Sequence, residues 1–258
     1  MKFTKISDLN IPNLQIYRHL RDNVVTKDNS FIADSPMVVT TLLKTSLEIK
    51  SIFANKKYFD ENRELIKDKN IPNLYLGDKS LMKEIVGHNI HHGVMMHGIR
   101  PDETPLEELD EHIIMLDLIS KNENVGAIAR SAAALGINSF ITPNKGPHPY
   151  GRKALRVSMG HISKLKLLTY NDIFNTIKNL QEKGYKVFAA EITKDSIPLK
   201  DVQVPKRWVI LMGDEAHGIS KEVLEICDEV VSIEMNKEVK SFNVSVAAGI
   251  LMYNFIKG

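Results

Sequence analysis

The sequence predicts an α/β fold whose C-terminal part is a mostly parallel, six-stranded sheet. From about residue 112 onward, short runs of apolar and β-branched residues alternate with segments of helical periodicity. Strands that alternate with helices favour parallel pairing, with helices on both faces of the sheet. The six predicted strands are 112–118, 139–142, 164–169, 186–192, 207–213 and 229–235.

The first hundred residues predict a second, smaller α/β unit. The runs FIAD, SIFAN, YLGD and GVMMHGI read as strands, and PMVVTTLLKTSLE reads as a helix between the first two. The stretch 99–112 holds two prolines and a run of acidic residues, which is typical of a linker. We therefore expect a small domain at 1–98, a linker at 99–112 and the larger sheet domain at 113–258.

The composition is that of a globular protein and excludes several classes. With 43% hydrophobic and 26% charged residues, the 258-residue chain is neither disordered nor collagen-like. Its one cysteine, Cys227, excludes an intramolecular disulfide framework and a four-thiolate metal site, and it suits a reducing compartment. No apolar run approaches the ~18 residues of a membrane span, and the start lacks the apolar core of a signal peptide. We expect a cytoplasmic protein.

Positive charge is concentrated in one stretch, although the 34 Lys and Arg of the whole chain exceed the 32 Asp and Glu by only two. The stretch 124–171 contains no acidic residue. One interpretation is a solvated surface whose counter-charges lie elsewhere in the fold. The other is an anionic partner such as a phosphate backbone, attracted electrostatically. The basic residues of the stretch are Arg130, Lys145, Arg152, Lys153, Arg156, Lys164 and Lys166.

Ligands of parallel α/β sheets bind at the carboxyl ends of strands, and the segment 122–136 follows such an end. Asn124 is predicted to cap the helix of this segment. Arg130 falls opposite the apolar stripe, on a face of glycine and alanine that suits close packing against a ligand or another chain. The alternative is an ordinary surface arginine.

A second candidate segment, GDEAHGIS at 213–220, follows the predicted strand WVILM. Its glycine pair resembles a phosphate-binding loop, but Ile219 stands where that loop requires lysine, which argues against a nucleoside triphosphate. Gly213 and Gly218 would still let main-chain groups contact a flat ligand, with the Glu215 carboxylate close to it. The alternative is a tight strand-to-helix turn with Ser220 as the helix cap.

The third candidate segment spans 232–255. Ser241 and Asn243 precede a stretch that is apolar nearly all round, which predicts a helix buried on most sides, either within the chain or in a homodimer. The alternative for Ser241, Asn243 and Ser245 is simple capping.

Four histidines, His88, His91, His92 and His97, lie within ten residues of one another. Imidazole binds zinc, copper and nickel. However, no cysteine lies nearby, and the spacing does not match the helical pair of a zinc protease. We expect no metal site here.

Taken together, the three segments resemble the motifs of the SpoU/TrmH family of the SPOUT superfamily, which are RNA ribose 2′-O-methyltransferases. The first motif of that family is an asparagine followed six positions later by an arginine, and the second is G-x-E-x-x-G. The third is a strand end followed by S-L-N-V-S-V-A, where this chain has phenylalanine for leucine. The matching residues are Asn124 and Arg130, then Gly213, Glu215 and Gly218, and then Ile233, Met235, Ser241, Asn243, Val244, Ser245, Val246 and Ala247.

The resemblance implies a sheet domain with a trefoil (α/β) knot, an obligate homodimer and S-adenosylmethionine as methyl donor. Residues 1–98 look like the substrate-binding domain, related in fold to small ribosomal RNA-binding proteins, that precedes many of these enzymes. The cofactor would be held mostly by backbone groups of the knot loops. By position these are around Ala190, Leu211, Gly213, Ile233, Met235, Ser241 and Phe242.

The implied activity is methylation of a ribose 2′-hydroxyl in structured RNA, with ribosomal RNA favoured over transfer RNA. Arg130 would clamp the target phosphate and stabilise the developing alkoxide, because a guanidinium is too basic to accept the proton. The other residues expected to line the site are Asn124, Glu215, Ser241 and Asn243, and the expected RNA-binding residues are Arg152, Lys153 and Arg156.

The sequence leaves two alternative functions to consider. A non-catalytic RNA-binding homodimer would have the same fold without turnover, although the joint presence of the motif residues argues against it. A nicotinamide-dependent oxidoreductase is disfavoured because no G-x-G-x-x-G follows any predicted strand.

Overall fold

The computed structural model of the chain describes residues 1–7, 11–18, 28–86, 93–214, 216–236 and 238–257. The strands are β1 Thr4–Lys5, β2 Ser30–Asp34, β3 Glu48–Ala54, β4 Asn73–Leu76, β5 Val94–Ile99, β6 His112–Leu116, β7 Ser139–Pro143, β8 Lys166–Tyr170, β9 Lys186–Ala190, β10 Ile197–Pro198, β11 Trp208–Met212 and β12 Glu229–Ser232. The α-helices are α1 Gln15–Arg18, α2 Pro36–Leu43, α3 Lys56–Glu61, α4 Arg63–Lys67, α5 Lys79–Val86, α6 Asn122–Ala134, α7 Arg152–Val157, α8 Ile173–Glu182, α9 Lys221–Leu224 and α10 Val244–Lys257. Short 3-10 helices span Pro12–Leu14, Leu106–Glu108, His161–Lys164 and Leu199–Asp201.

The chain divides into two compact units. The first comprises Met1–Asp102 and Pro149–Ser163, and the second comprises Glu103–His148 and Lys164–Gly258. The expected substrate-binding domain at 1–98 falls within the first unit, and its role stays a prediction. Within the described ranges, none of the helices has both the length and the apolar composition needed to cross a membrane.

The second unit is built on a sheet of seven strands in the order β10-β12-β9-β11-β6-β7-β8, and every neighbouring pair is parallel. All six strands expected from the sequence are present, so the prediction of a mostly parallel sheet is confirmed. The seventh strand, β10, was not predicted because two residues at a sheet edge give no periodic signal. The knot implied by the family resemblance stays a prediction.

Strand β11 is central in this sheet because it pairs with β6 on one side and β9 on the other. All five of its residues are buried. Val209 and Leu211 pack in the apolar cluster that includes Ile177 of α8. On the other face, the Trp208 ring meets Phe255 of α10 edge-on, with ring centroids 5.3 Å apart. Helices thus cover both faces, as apolar runs in parallel sheets require.

The helix boundaries differ from the predicted ones by one or two residues. Helix α8 is capped by Asp172, whose side chain accepts from the Asn175 N–H, and not by the asparagine before it. Gly184 ends this helix region with a φ of +81°, as predicted. Helix α6 begins at Asn122 with Lys121 as its N-cap residue, so the prediction that Asn124 caps it is wrong. Because the helix begins two residues before Asn124, the Asn124 side chain lies on a buried side of the helix.

The first unit contains a five-stranded mixed sheet in the order β1-β4-β3-β5-β2. The predicted strands and the helix between the first two are all present, and β5 runs antiparallel to both β2 and β3. The segment 149–163 belongs to this unit because Tyr150 packs on Phe31 of β2, with ring centroids 5.0 Å apart. An α/β unit at the start of the chain is confirmed.

The carboxylate of Asp34 fixes α7 to β2 within this unit. Asp34 is 4% exposed and accepts hydrogen bonds from the Nε atoms of Arg152, at 3.0 Å, and Arg156, at 3.3 Å. Lys166 of the second unit pairs with Asp110 at 2.5 Å. The interpretation that counter-charges lie elsewhere in the fold is therefore confirmed for these three basic residues. Arg152, Lys153 and Arg156 as RNA-binding residues stay a prediction.

The segment expected as a linker at 99–112 is docked on the second unit from Glu103 onward. The Glu103 carboxylate accepts from the Thr169 N–H at 2.8 Å and from the Thr169 hydroxyl at 2.6 Å. Leu109 is buried in the sheet cluster. Two of the acidic side chains of this segment, Glu103 and Asp110, thus find donors on β8. The assignment of 99–112 as a linker stays a prediction.

Replacing Asp34 by alanine should destabilise the first unit strongly. The change removes the buried carboxylate that two guanidinium groups share, one of them largely buried, which costs about 3 kcal/mol. The matched control is Asp60→Ala, which removes an exposed ion pair with Lys56 and should cost no more than about 0.5 kcal/mol. Hydrogen exchange of the β2 amides measures both losses. Equal small losses would show that Asp34 contributes little.

Candidate functional site

A cavity of about 610 Å³ lies in the second unit at the carboxyl ends of β9, β11 and β12. The segments that begin α6 and α10 complete its wall. A cavity at this edge is where parallel sheets bind ligands. Eight residues expected for the site line it, namely Asn124, Ala190, Gly213, Ile233, Met235, Ser241, Phe242 and Asn243.

Two other expected site residues, both described by the structure, do not line the cavity. Leu211 is fully buried on the α8 side of the sheet. Arg130 is exposed on α6 and is not part of the wall. Glu215 lies outside the described residues. The roles of these three stay predictions.

Both glycines of the second motif are required by close approaches in the loop after β11. A Cβ on Gly213 would lie 2.6 Å from the Gly218 carbonyl carbon, because the two ends of the loop touch. Gly218 has a φ of +69°, and a Cβ there would lie 2.1 Å from Oε2 of Glu191. Ser220 accepts from the Val223 N–H at 3.4 Å, so its predicted capping role is confirmed.

The Asp214 carboxylate holds the turn inside this loop. One of its oxygens accepts from the Ala216 N–H, the His217 N–H and Nδ1 of His217, at 3.0, 3.0 and 2.9 Å. Burial alone would raise the pKa of Asp214, but these donors outweigh burial and lower it. The carboxylate therefore stays charged and keeps the loop folded on itself.

Asn243 connects the third motif to the first. Its Oδ1 accepts from the Ser245 N–H at 2.9 Å and from the Ser245 hydroxyl at 2.6 Å, which caps α10. Its Nδ2 donates to Oδ1 of Asn124, at 3.3 Å. Asn124 is only 7% exposed. Capping is thus confirmed for Asn243, and the same side chain also orients Asn124 in the cavity wall.

Sequence reasoning missed two charged residues of the wall, Glu191 and Lys121. Glu191 directly follows β9 and accepts from the Ile219 N–H at 3.0 Å. Lys121 precedes α6 and is the one lysine or arginine among the described residues that line the cavity. The position of Glu191 after a buried strand was a signal that could have identified it.

Of the histidine cluster, His88, His91 and His92 lie outside the described residues. His97 lies in β5, where its Nε2 is 2.8 Å from the Ser30 hydroxyl. Burial lowers the pKa of His97, which favours the neutral ring. Among the residues that the structure describes, no group of three or more His, Cys, Asp or Glu is arranged to hold a metal ion.

The fold and the cavity together define a parallel α/β protein with a small-molecule site at its strand ends. A volume of about 610 Å³ is in the usual range for such sites. The family model of the SpoU rRNA Methylase family matches residues 111–253, which include all three motifs. The chain belongs to this family, and the resemblance seen in the sequence is confirmed.

The chain is also similar in sequence to individual proteins. It is 29% identical over 179 residues to an "uncharacterized tRNA/rRNA methyltransferase" of Mycolicibacterium paratuberculosis, covering 66% of this chain. The chain spans only 58% of the length of that relative.

Two solved structures share the whole fold. An AdoMet-bound rRNA methyltransferase from Sinorhizobium meliloti superimposes with a TM-score of 0.83 at 19% identity, covering 99% of this chain and 98% of the other. An RNA 2′-O ribose methyltransferase gives a TM-score of 0.79 at 19% identity and covers 98% of both chains. At these identities the likeness establishes the fold, including the small α/β unit and the parallel sheet.

Replacing Gly218 by alanine should destabilise the second unit more than the same change at Gly184. Both glycines have positive φ, so each substitution costs about 1–2 kcal/mol in backbone strain. Around Gly184 a Cβ meets nothing within 4 Å, whereas at Gly218 it collides with the Glu191 carboxylate. Urea unfolding followed by Trp208 fluorescence measures the difference. Equal losses would mean that the Glu191 contact is not maintained in solution.

Proposed function

We propose that this chain is an S-adenosylmethionine-dependent RNA methyltransferase that modifies a ribose 2′-hydroxyl. The observation that carries the proposal is the convergence of three separate motifs on one cavity. Asn124 of the first motif and Asn243 of the third are hydrogen-bonded in the wall that Gly213 and Gly218 of the second motif complete. Family membership supports the reaction class, and the two similar structures, one AdoMet-bound and one a 2′-O ribose enzyme, support the finer assignment.

The cavity fits S-adenosylmethionine in size and in chemistry. Its walls offer peptide groups at three strand ends, and the close approaches at Gly213 and Gly218 hold the backbone of the loop after β11 in this wall. Ala190, Ile233 and Met235 supply apolar surface next to these peptide groups. When bound, the cofactor supplies a methyl group on a positively charged sulfur.

The chain's own residues then have to orient the acceptor oxygen and manage its proton. Arg130 is permanently charged, so it clamps the phosphate and stabilises negative charge on the 2′-oxygen rather than accepting the proton. Asn124 and Asn243 hold one another in place, which fixes the polar wall before RNA arrives. Ser241 and Glu215 are proposed to complete this wall, and the proton leaves through phosphate or water.

We propose a homodimer in which the position of Arg130 has a role. Arg130 is exposed on α6 and does not line the cavity of its own chain. The family resemblance gives it a role at the site, so in this proposal a second copy brings it there. Helix α10, which packs on α6, exposes Val246 and Tyr253 at 49% and 53%, seven residues apart on one side. Apolar side chains exposed on one side of a helix are typical of an interface between subunits.

The RNA is proposed to be structured, with ribosomal RNA favoured over transfer RNA. The small α/β unit at the start of the chain is the proposed substrate-binding domain, with Arg152, Lys153 and Arg156 as its candidate RNA contacts. The similar Sinorhizobium meliloti protein is described as an rRNA methyltransferase, whereas the Mycolicibacterium relative is described with both RNA classes. A cytoplasmic location remains a prediction based on the single cysteine.

The activity is tested by incubating the purified chain with S-adenosylmethionine carrying a labelled methyl group and with ribosomal or transfer RNA. We expect label in RNA, resistant to alkali at the modified position because the methylated 2′-oxygen can no longer attack the neighbouring phosphate. Asn124→Ala should lower the rate at least tenfold, since the oriented amide is lost. Binding of RNA without label in either RNA class would favour the non-catalytic homodimer.

Mixed dimers test the origin of Arg130. Arg130→Ala and Asn124→Ala are each expected to be inactive as homodimers. Random mixing by co-expression should restore about a quarter of wild-type activity, because half of the dimers then hold one intact site. Separately tagged chains allow the mixed dimer to be purified and assayed. An inactive mixed dimer would show that Arg130 serves the cavity of its own chain.

A further inference from the structure

Glu191 connects three segments of the cavity wall. Its Oε2 accepts from the Ile219 N–H of the loop after β11, at 3.0 Å, and its Oε1 accepts from the Ile192 N–H, at 2.9 Å. Its own N–H donates to the Val231 carbonyl of β12, at 3.1 Å. One side chain thus ties the end of β9 to the loop that carries Gly213 and Gly218.

The contact between Glu191 and this loop is close on both sides. Oε2 occupies the space beside Gly218 that any other residue would fill with its Cβ. Gly218 in turn adopts a φ of +69°, which favours glycine. The contact therefore needs a side chain of this length with an oxygen at its end, and it needs a residue without a Cβ at position 218.

Glu191 also brings a negative charge to the wall. The other described carboxylate there, Asp214, is engaged by three donors of its own turn. No lysine or arginine of the described residues lies within ion-pair distance of Glu191. Two peptide donors do not cancel its negative charge, and Lys121, the one lysine or arginine of the described wall, lies beyond ion-pair distance. The part of the wall next to Glu191 therefore attracts a cation more strongly than a neutral group of the same shape.

We propose that Glu191 is a positioning residue for the loop 213–219 and that its charge makes the cavity prefer a cationic ligand over its neutral counterpart. The second part rests on the proposed function, in which the donor carries a sulfonium and the demethylated product, S-adenosylhomocysteine, carries a neutral thioether. The two ligands share their other charged groups, so their affinities differ mainly through this one charge. A preference for the cation helps the spent product to leave.

Calorimetric titration of the full-length protein with each ligand tests the charge. Glu191→Gln keeps an oxygen that can accept from Ile219 but removes the charge. We expect it to weaken S-adenosylmethionine binding about fivefold and to change S-adenosylhomocysteine binding less than twofold, as one screened charge across a cavity implies. The matched control, Glu182→Gln on α8, removes an equal charge outside the cavity wall and should alter neither affinity.

Hydrogen exchange without ligand tests the positioning role. In Glu191→Ala the Ile219 N–H loses its acceptor, so exchange in the peptide covering 213–219 should rise at least tenfold, while Glu191→Gln stays near wild type. Exchange of the buried β11 amides reports whether either variant is folded. With the loop loosened, Glu191→Ala should bind both ligands more weakly.

Each part of the proposal has its own contrary outcome. An unchanged preference between the two ligands in Glu191→Gln would overturn the role of the charge. Wild-type exchange of the loop in Glu191→Ala would overturn the positioning role. A wild-type protein that binds neither ligand would overturn the proposed function and the ligand preference together, while the exchange result would still decide the positioning role.

Discussion

The parallel pairing of β11 with β6 and β9 is the constraint on which the site depends. Five consecutive residues of β11 are in register with five of β6 and five of β9. Because these strands all run the same way, the chain leaves them at a single edge of the sheet. The loops that follow β9, β11 and β12 therefore meet, although their first residues are separated by at least twenty positions in sequence. An antiparallel neighbour would have carried one of these loops to the opposite edge.

Hydrogen bonds within the chain hold the polar groups at this edge before any ligand is present. Asn243 is fixed by Ser245 and holds Asn124, while Asp214 holds its own turn and Glu191 holds the end of the same loop at Ile219. Each contact satisfies a backbone or side-chain group that would otherwise need water. The cavity is therefore largely preformed, and less of the binding free energy is lost in ordering its walls.

The sequence predicts those features whose signal is local. Buried parallel strands are short apolar runs, so the central strands could be located, and Gly213 and Gly218 are recognisable because their spacing is fixed within one loop. Features that depend on distant partners had no such signal. Glu191 and Ile219 are 28 residues apart, and Asp34 and Arg152 are 118 apart. The wrong prediction that Asn124 caps α6 has a related cause. An asparagine that caps a helix and one that faces a cavity cannot be told apart by residue type alone.

The basic residues of the chain differ in whether a carboxylate of the chain neutralises them. The stretch without acidic residues suggested a broad basic surface, yet Arg152 and Arg156 share Asp34, and Lys166 pairs with Asp110. In contrast, no carboxylate among the described residues lies within ion-pair distance of Lys121 or Arg130, which lie before and within α6. Lys121 and Arg130 thus keep positive charge that no described carboxylate neutralises, whereas the charges of Arg152, Arg156 and Lys166 are matched within the chain, so the stretch without acidic residues is not uniformly available to an anionic partner.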